Sequence, residues 1–195
     1  FKVPSGEITN LPYLSKMASK GKPMVVSTGM SYLSEVEMAV HTIRKMGNDQ
    51  IVLLHCVSNY PASSKDVNLR AMQTMSLAMS TPVGYSDHTP GIEVSLAAVA
   101  LGACVIEKHF TVDRDLPGPD HQASLEPEEL ESLVRDIRSV ELTLGHGRKE
   151  PADSERNTAD VARKSLVAAI DIKMGTVLSE EMIDIKRPGT GLAPA

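Results

Sequence analysis

Two histidines stand where apolar, strand-like segments of the sequence end. His88 follows residues 82–86 and His109 follows residues 103–107. Neighbouring parallel strands lie about 4.8 Å apart, so imidazoles at adjacent strand ends can bind one divalent metal ion. A histidine in a strand is also commonly a hydrogen-bonded core residue. The residues alone therefore leave two interpretations open, a two-histidine metal site and a pair of structural histidines.

Small hydroxyl side chains end several apolar segments of the same kind. A single serine at a strand end is often only a turn former, but hydroxyls that converge on one point can together donate hydrogen bonds to a phosphate. The serines concerned are Ser5, Ser27, Ser58 and Ser86, with Lys2 close to the first of them. The sequence has neither a Walker-type phosphate loop nor a Gly-x-Ser-x-Gly elbow. Walker-type nucleotide binding and elbow-type serine-hydrolase chemistry are therefore excluded.

The cysteines do not have the setting of a catalytic nucleophile. Cys56 and Cys104 both lie within apolar segments, so we predict buried, reduced thiols and no disulfide. His55 lies inside the segment of residues 51–57 rather than at its end. We therefore predict a structural role for His55.

The elements that must position these residues alternate in type along the chain. Continuous apolar segments are typical of parallel strands covered on both faces, and they recur at residues 23–27, 51–57, 82–86 and 103–107. Helical patterns follow them at residues 34–47, 66–79, 93–101 and 127–140. Alternation at about 20–30 residues per unit predicts an α/β fold built from consecutive βαβ units around a parallel sheet.

Two architectures share this alternation, the (β/α)8 barrel and the doubly wound open sheet. Polar residues at the ends of successive strands favour the barrel, because all of its strand ends converge on one mouth, where active sites are built. A complete barrel needs about 250 residues. We therefore predict that residues 1–145 form the C-terminal part of a (β/α)8 TIM barrel whose N-terminal strands are absent from this chain.

The character of the sequence changes after Gly145. Residues 146–162 are polar and charged without a clear period, which predicts a linker. Residues 163–195 contain short apolar runs at 165–169 and 178–183, which predict the start of a small β-rich module. About 30 residues are too few to fold well alone, so we expect this module to continue in a longer domain or to dock on a partner.

Composition restricts the class of protein further. The 195 residues are 42% apolar and 23% charged, with a formal net charge of −5, a globular balance that argues against a protein that coats nucleic acid or an anionic membrane. No apolar run approaches the about 20 residues that span a bilayer, and no signal-peptide pattern opens the chain. We expect a cytoplasmic protein. Because the sequence starts at Phe1, we also expect it to be part of a longer one.

Six ordered motifs resemble those of the sialic acid synthases, a family that includes legionaminic and pseudaminic acid synthases. They lie at residues 2–7 (KVPSGE), 27–30 (STGM), 55–61 (HCVSNYP), 86–89 (SDHT), 107–111 (EKHFT) and 117–121 (PGPDH). Residues 165–167 and 186–189 are similar to the start of the C-terminal antifreeze-like (SAF) domain of that family. The resemblance covers essentially the whole chain.

The resemblance implies a barrel enzyme that condenses phosphoenolpyruvate with N-acetylmannosamine or a related N-acylated aminosugar. The product would be a nine-carbon 2-keto sugar acid, with release of phosphate. One alternative is a legionaminic or pseudaminic acid synthase that acts on a diacetamido-trideoxyhexose. An alternative of another class is a non-catalytic module that binds a carbohydrate or a partner. The family's N-terminal strands, with a glutamate proposed as proton shuttle, are not in this chain.

The resemblance also implies roles for particular residues. His88 and His109 would hold a divalent cation, Mn²⁺ or Mg²⁺, that polarises the aldehyde oxygen. Phosphoenolpyruvate would be bound by Lys2, Ser5, Ser27, Ser58 and Ser86, and the sugar site would be lined by Glu7, Tyr60 and Asp120. We expect His88, His109 and Glu7 to be the catalytic residues.

Arg187 is implied to reach the N-acyl group of the sugar from the other subunit of a domain-swapped homodimer. Without the resemblance, Arg187 reads as an exposed basic residue before a Pro-Gly turn, and Asp120 as part of a rigid turn into the helix that begins at Pro127.

Overall fold

The computed structural model describes residues 1–189 and 191–194. Thr190 and Ala195, which belong to the predicted β-rich module, lie outside the described residues. The chain divides into two compact units, residues 1–145 and residues 146–195. No helix of the described residues is long and apolar enough to cross a membrane.

The first unit is built on a parallel sheet whose strand order is the order of the chain. Its strands are β1 (Lys2–Val3), β2 (Met24–Ser27), β3 (Ile51–Cys56), β4 (Val83–Asp87) and β5 (Ile106–Lys108). Every neighbouring pair is parallel. A doubly wound sheet reverses its strand order at a switch point, whereas a barrel does not. The order therefore confirms the prediction of a partial (β/α)8 barrel.

One helix follows each strand, as a barrel requires. The helices are α1 (Leu11–Ala18), α2 (Leu33–Lys45), α3 (Arg70–Met79), α4 (Glu93–Ala100) and α5 (Pro127–Leu144). Sequence reasoning missed α1, although Asn10 accepts a hydrogen bond from the backbone of Tyr13 and a proline occupies the first turn, both of which are helix-start features. The helix predicted from residue 66 begins at Arg70, because Asn68 has a left-handed φ of 49°.

The apolar core lies between the sheet and the helices. Alternate strand residues such as Met24 and Val26 on β2, and Leu53 on β3, pack against Val36, Ala39 and Ile43 of α2 and the three buried methionines of α3. Because successive side chains of a strand point to opposite faces, the intervening residues face the inside of the barrel.

Gly84 allows β4 to lie close to the segment that leads into β5. A Cβ atom at this position would lie 2.4 Å from the carbonyl oxygen of Val105 and 2.8 Å from a methyl carbon of Leu54. Only glycine accommodates so close an approach of backbone. The glycine thus helps to set the spacing of the two strands that carry the histidines.

The predictions for the remaining buried residues are only partly correct. Cys56 is buried, and both cysteines are free. Cys104 is exposed, so the prediction of a second buried thiol is wrong. Cys104 lies just before β5, which is an edge strand of the described sheet and pairs with β4 alone. His55 is half-buried and its Nε2 lies 2.7 Å from the carbonyl oxygen of Val67, which agrees with a structural role.

The second unit contains an antiparallel pair of strands, β6 (Ser165–Ala168) and β7 (Ile183–Lys186). The segment predicted as a linker contains a short helix, α6 (Arg156–Ala162). None of the residues of α6 is buried. A helix without an apolar face has no helical hydrophobic period, which explains why the pattern of the sequence did not predict it.

Candidate active site

A cavity of about 560 Å³ lies at the C-terminal ends of the five parallel strands. Its lining includes eight of the eleven predicted site residues, namely Lys2, Ser5, Ser27, Ser58, Tyr60, Ser86, His88 and His109. It also includes residues to which the sequence analysis gave no role, among them Met30, Glu107 and Lys108. The strand ends thus bring most of the predicted site residues to one cavity.

Hydroxyl groups converge over the backbone of Gly29, in the loop after β2. The backbone N–H of Gly29 donates to Oγ of Ser5 at 3.0 Å. A Cβ atom on Gly29 would lie 2.2 Å from Oγ of Ser58 and 2.9 Å from Oγ of Ser5. Any larger residue at this position would displace both hydroxyls, so the glycine is required for their convergence.

The hydroxyl of Ser27 has no protein partner. Ser27 is buried at the end of β2, and its Oγ makes no hydrogen bond to the described residues. Leaving a buried hydroxyl unsatisfied costs about 1–3 kcal/mol. Because Ser27 also lines the cavity, an oxygen atom of a bound ligand is the partner that this arrangement suits.

A lysine, a serine and a glutamate form a small polar group at one side of the cavity. Nζ of Lys2 lies 3.4 Å from Oε1 of Glu107, and Oγ of Ser86 donates to the same oxygen at 2.8 Å. Glu107 lies on β5, two residues before His109, and the period of two places both on the inner face. That parity is the sequence signal that could have identified Glu107 as a site residue.

The two histidine rings lie close together at adjacent strand ends, with ring centroids 5.5 Å apart and ring planes inclined at 51°. Nδ1 of His88 lies 2.7 Å from the carbonyl oxygen of Val57, so Nδ1 carries the proton and Nε2 keeps its lone pair. Burial lowers the pKa of His88, which favours the neutral, ligating form. Nδ1 of His109 lies 3.9 Å from a carboxylate oxygen of Asp120.

The aromatic ring of Tyr60 contacts both histidines. Its centroid is 4.2 Å from that of His88 and 5.5 Å from that of His109, where the contact is edge-on. Burial raises the pKa of Tyr60, with smaller contributions from Cys56, Asp120 and Glu107. The phenol is therefore a neutral hydrogen-bond donor at the mouth of the cavity.

The donor set at the two histidines fits a catalytic rather than a structural cation. No group of three or more His, Cys, Asp or Glu side chains suited to a metal ion occurs among residues 1–189 and 191–194. Structural zinc sites use four protein ligands. Two imidazoles, one of them oriented by the carbonyl of Val57, leave further coordination positions to water and substrate oxygens.

Three predicted residues do not line the cavity. Glu7 lies in a turn before α1, where its carboxylate accepts a hydrogen bond from Asn10 at 2.7 Å. Asp120 stands beside His109, outside the lining. Arg187 belongs to the second unit and is exposed directly after β7.

Comparisons with known proteins find relatives of the whole chain. The chain is 54% identical over its whole length to the N,N'-diacetyllegionaminic acid synthase of Legionella pneumophila and covers 56% of that protein. It is 45% identical to the human N-acetylneuraminate-9-phosphate synthase, with 95% of this chain and 52% of that protein aligned. The chain thus spans about half the length of the curated relatives that it matches.

A solved structure has a similar fold. The crystal structure of N-acetylneuraminic acid (sialic acid) synthetase from Leptospira borgpetersenii, in complex with citrate, aligns with a TM-score of 0.75 and 44% identity. The alignment covers 82% of this chain and 55% of the other. The SAF domain family matches residues 163–195. The NeuB family matches residues 1–149, and with the relatives above this shows that the chain belongs to the NeuB family.

Proposed function

We propose that the protein condenses phosphoenolpyruvate with the open-chain aldehyde of an N-acylated aminosugar. The observation that carries this proposal is one cavity in which hydroxyl donors and a lysine adjoin a pair of neighbouring histidines. An anionic substrate and an aldehyde can thereby be held side by side. The NeuB family membership and the relatives, which are synthases by name, support the same reaction.

The anionic end of phosphoenolpyruvate would lie among the hydroxyls. Lys2 supplies the positive charge, and Ser5, Ser27, Ser58 and Ser86 supply neutral donors. The unpartnered hydroxyl of Ser27 supports this placement. Donors fixed on strand ends and on the loop of Gly29 hold the phosphate in place while the adjacent carbon changes its bonding.

The aldehyde end would lie at the histidines. His88 and His109 would hold a divalent cation, and we favour Mn²⁺ over Mg²⁺ because imidazole suits Mg²⁺ poorly as a ligand. When bound, such a cation would polarise the aldehyde oxygen. Val57 orients His88, and Tyr60 covers one side of both rings.

The reaction forms a carbon–carbon bond and replaces the carbon–oxygen bond to phosphate by one to a water oxygen. The methylene carbon of phosphoenolpyruvate attacks the aldehyde carbon, and the aldehyde oxygen gains a proton. Water adds at the carbon that bears the phosphate and gives up one proton, which balances the proton taken up by the aldehyde oxygen. Phosphate then leaves with its bridging oxygen, and the remaining hydroxyl proton passes to the departing phosphate to give the 2-keto acid. The negative charge that develops on the aldehyde oxygen is what groups at the histidines would stabilise in the transition state.

The sugar would contact Tyr60 and Asp120, which lie beside the histidines. Glu7 is proposed from the family resemblance alone. The identity of 54% to a legionaminic acid synthase, against 45% to an N-acetylneuraminate-9-phosphate synthase, favours a diacetamido-trideoxyhexose over N-acetylmannosamine as the sugar. A cytoplasmic location fits the free thiols of Cys56 and Cys104.

The first prediction concerns the reaction itself. The full-length protein, incubated with phosphoenolpyruvate, Mn²⁺ and either sugar, should release inorganic phosphate and form a 2-keto acid, faster with the diacetamido sugar. Phosphate release and the 2-keto acid are measured separately, with a reaction without sugar as the control. If no N-acylated aminosugar leads to phosphate release, the proposed reaction is refuted, and the alternative function, a non-catalytic binding module, is favoured.

The second prediction concerns the anion site. Lys2→Ala and Ser86→Ala should each weaken binding of phosphoenolpyruvate by roughly tenfold to a hundredfold, since a charge-assisted hydrogen bond is worth about 1.5–3 kcal/mol. Titration calorimetry measures the affinity, and the exposed Lys20, changed to alanine, is the matched control. Loss of sugar affinity at unchanged affinity for phosphoenolpyruvate would reverse the proposed placement.

The third prediction concerns the cation. His88→Ala and His109→Ala should each remove most Mn²⁺ binding, measured from the electron paramagnetic resonance signal of the free ion, and leave the protein folded. His55→Ala is the matched control, because its imidazole bonds to Val67 away from the cavity. This control should unfold at lower urea concentration and bind Mn²⁺ normally. Normal Mn²⁺ affinity in His109→Ala would contradict the assignment.

The fourth prediction concerns assembly, for which we propose a domain-swapped homodimer. A closed two-fold dimer presents two equivalent contacts, and each would place Arg187 over the opposite site. The planar guanidinium can donate to the carbonyl of an N-acyl group. If His109→Ala and Arg187→Ala proteins are unfolded together and refolded as mixed dimers, one site in each mixed dimer carries neither change, and activity should partly return. If activity does not return although mass measurement verifies mixed dimers, Arg187 acts on the barrel of its own chain.

A further inference from the structure

A buried ion pair lies directly behind the two histidines. Asp87 precedes His88 on β4, Lys108 precedes His109 at the end of β5, and Asp87 and Lys108 are register partners in the sheet. Nζ of Lys108 lies 2.9 Å from Oδ2 of Asp87, and the two side chains are only 3% and 0% exposed. The pair therefore links the end of β4 to the end of β5, one residue before each histidine.

Every oxygen of the Asp87 carboxylate is in use. Oδ1 accepts hydrogen bonds from the backbone N–H and the hydroxyl of Thr89 at 2.8 and 2.7 Å, and Oδ2 accepts one from Ser95 of α4 at 2.6 Å in addition to Lys108. Lys108 also donates to the carbonyl oxygen of Thr89 at 2.6 Å. These bonds tie together the end of β4, the end of β5 and helix α4.

Backbone hydrogen bonds hold each histidine to a different segment: the N–H of Ala62 donates to the carbonyl of His88 at 2.8 Å, and the N–H of Leu125 to that of His109 at 2.9 Å. The ladder between β4 and β5 does not itself reach the histidines. Strand β5 has three residues, and its register with β4 ends at the Asp87–Lys108 pair. His88 and His109 stand beyond that point. Because side chains alternate between the faces of a strand, the ion pair lies on the helix side and the imidazoles on the inner side.

We propose that Asp87 and Lys108 are positioning residues that set the separation of the His88 and His109 imidazoles. This inference rests on the proposed function, in which those imidazoles hold a divalent cation. Partners behind the ligands of a metal site typically change metal affinity by about 10–100-fold when they are removed. A buried ion pair often stabilises a fold no better than an apolar pair of similar volume. Fold stability alone therefore does not explain why a charged pair lies between β4 and β5.

The test compares three forms of the whole protein, namely wild type, the double variant Asp87→Asn/Lys108→Met and the control Arg44→Met. Lys108→Met alone would leave the buried carboxylate charged without its cation, whereas the double variant is neutral and similar in shape. Arg44 is the matched control because it also donates to a backbone carbonyl, that of Met79 at 3.0 Å, and to Thr81, which precedes β4. That contact lies at the other end of the strand.

For each form, the dissociation constant for Mn²⁺ alone and the stability to urea are measured. We expect the Mn²⁺ dissociation constant of the double variant to rise by about 10–100-fold. Arg44→Met should lose stability and keep wild-type Mn²⁺ affinity. Wild-type Mn²⁺ affinity in a folded double variant would make the pair purely structural and overturn the inference. Absence of Mn²⁺ binding in the wild type would instead refute the cation assignment and, with it, this inference.

Discussion

The alternation of side chains along two short parallel strands is the constraint on which the rest of the site depends. On β4, Ser86 points into the cavity and Asp87 points toward α4, and the next inward position is His88. On β5, Glu107 likewise points into the cavity, and the ammonium group of Lys108 lies with Asp87 on the opposite side of the strand. One set of residues therefore lines the cavity, and the residues next to them in sequence form the buried ion pair. A slip of one residue in the register would exchange the two sets.

Sequence reasoning predicted the parts of the site that depend on strand position. An inward-facing residue near the end of a parallel strand lies at the common mouth whatever its neighbours are, which is why Ser27, Ser86 and His109 could be placed there from position alone. The same logic applies to the fold, since continuous apolar strands and amphipathic helices specify consecutive βαβ units. No single segment of the sequence shows the order of the strands in the sheet. The barrel, and with it the sequential order, was inferred from the polar residues at the ends of successive strands.

What the sequence did not predict depends on contacts between distant segments. Glu107 received no site role from the sequence, because its contact with the hydroxyl of Ser86 joins two neighbouring strands. The exposure of Cys104 follows from the position of β5 at a sheet edge, which an apolar segment does not reveal. The start of α3 at Arg70 depends on the left-handed backbone of Asn68, and nothing in the helical period records that φ angle.

Binding of phosphoenolpyruvate as proposed would be an exchange rather than a simple addition. Lys2 and Ser86 already contact the carboxylate of Glu107, so the phosphate would take both donors from it. A phosphate carries more negative charge and more acceptor oxygens than a carboxylate, which favours the exchange. Glu107 is 39% exposed at its side chain, so water can solvate the displaced carboxylate. The contacts of Glu107 already bring Lys2 and Ser86 to one oxygen atom, and donors that are positioned in advance lower the entropy cost of binding.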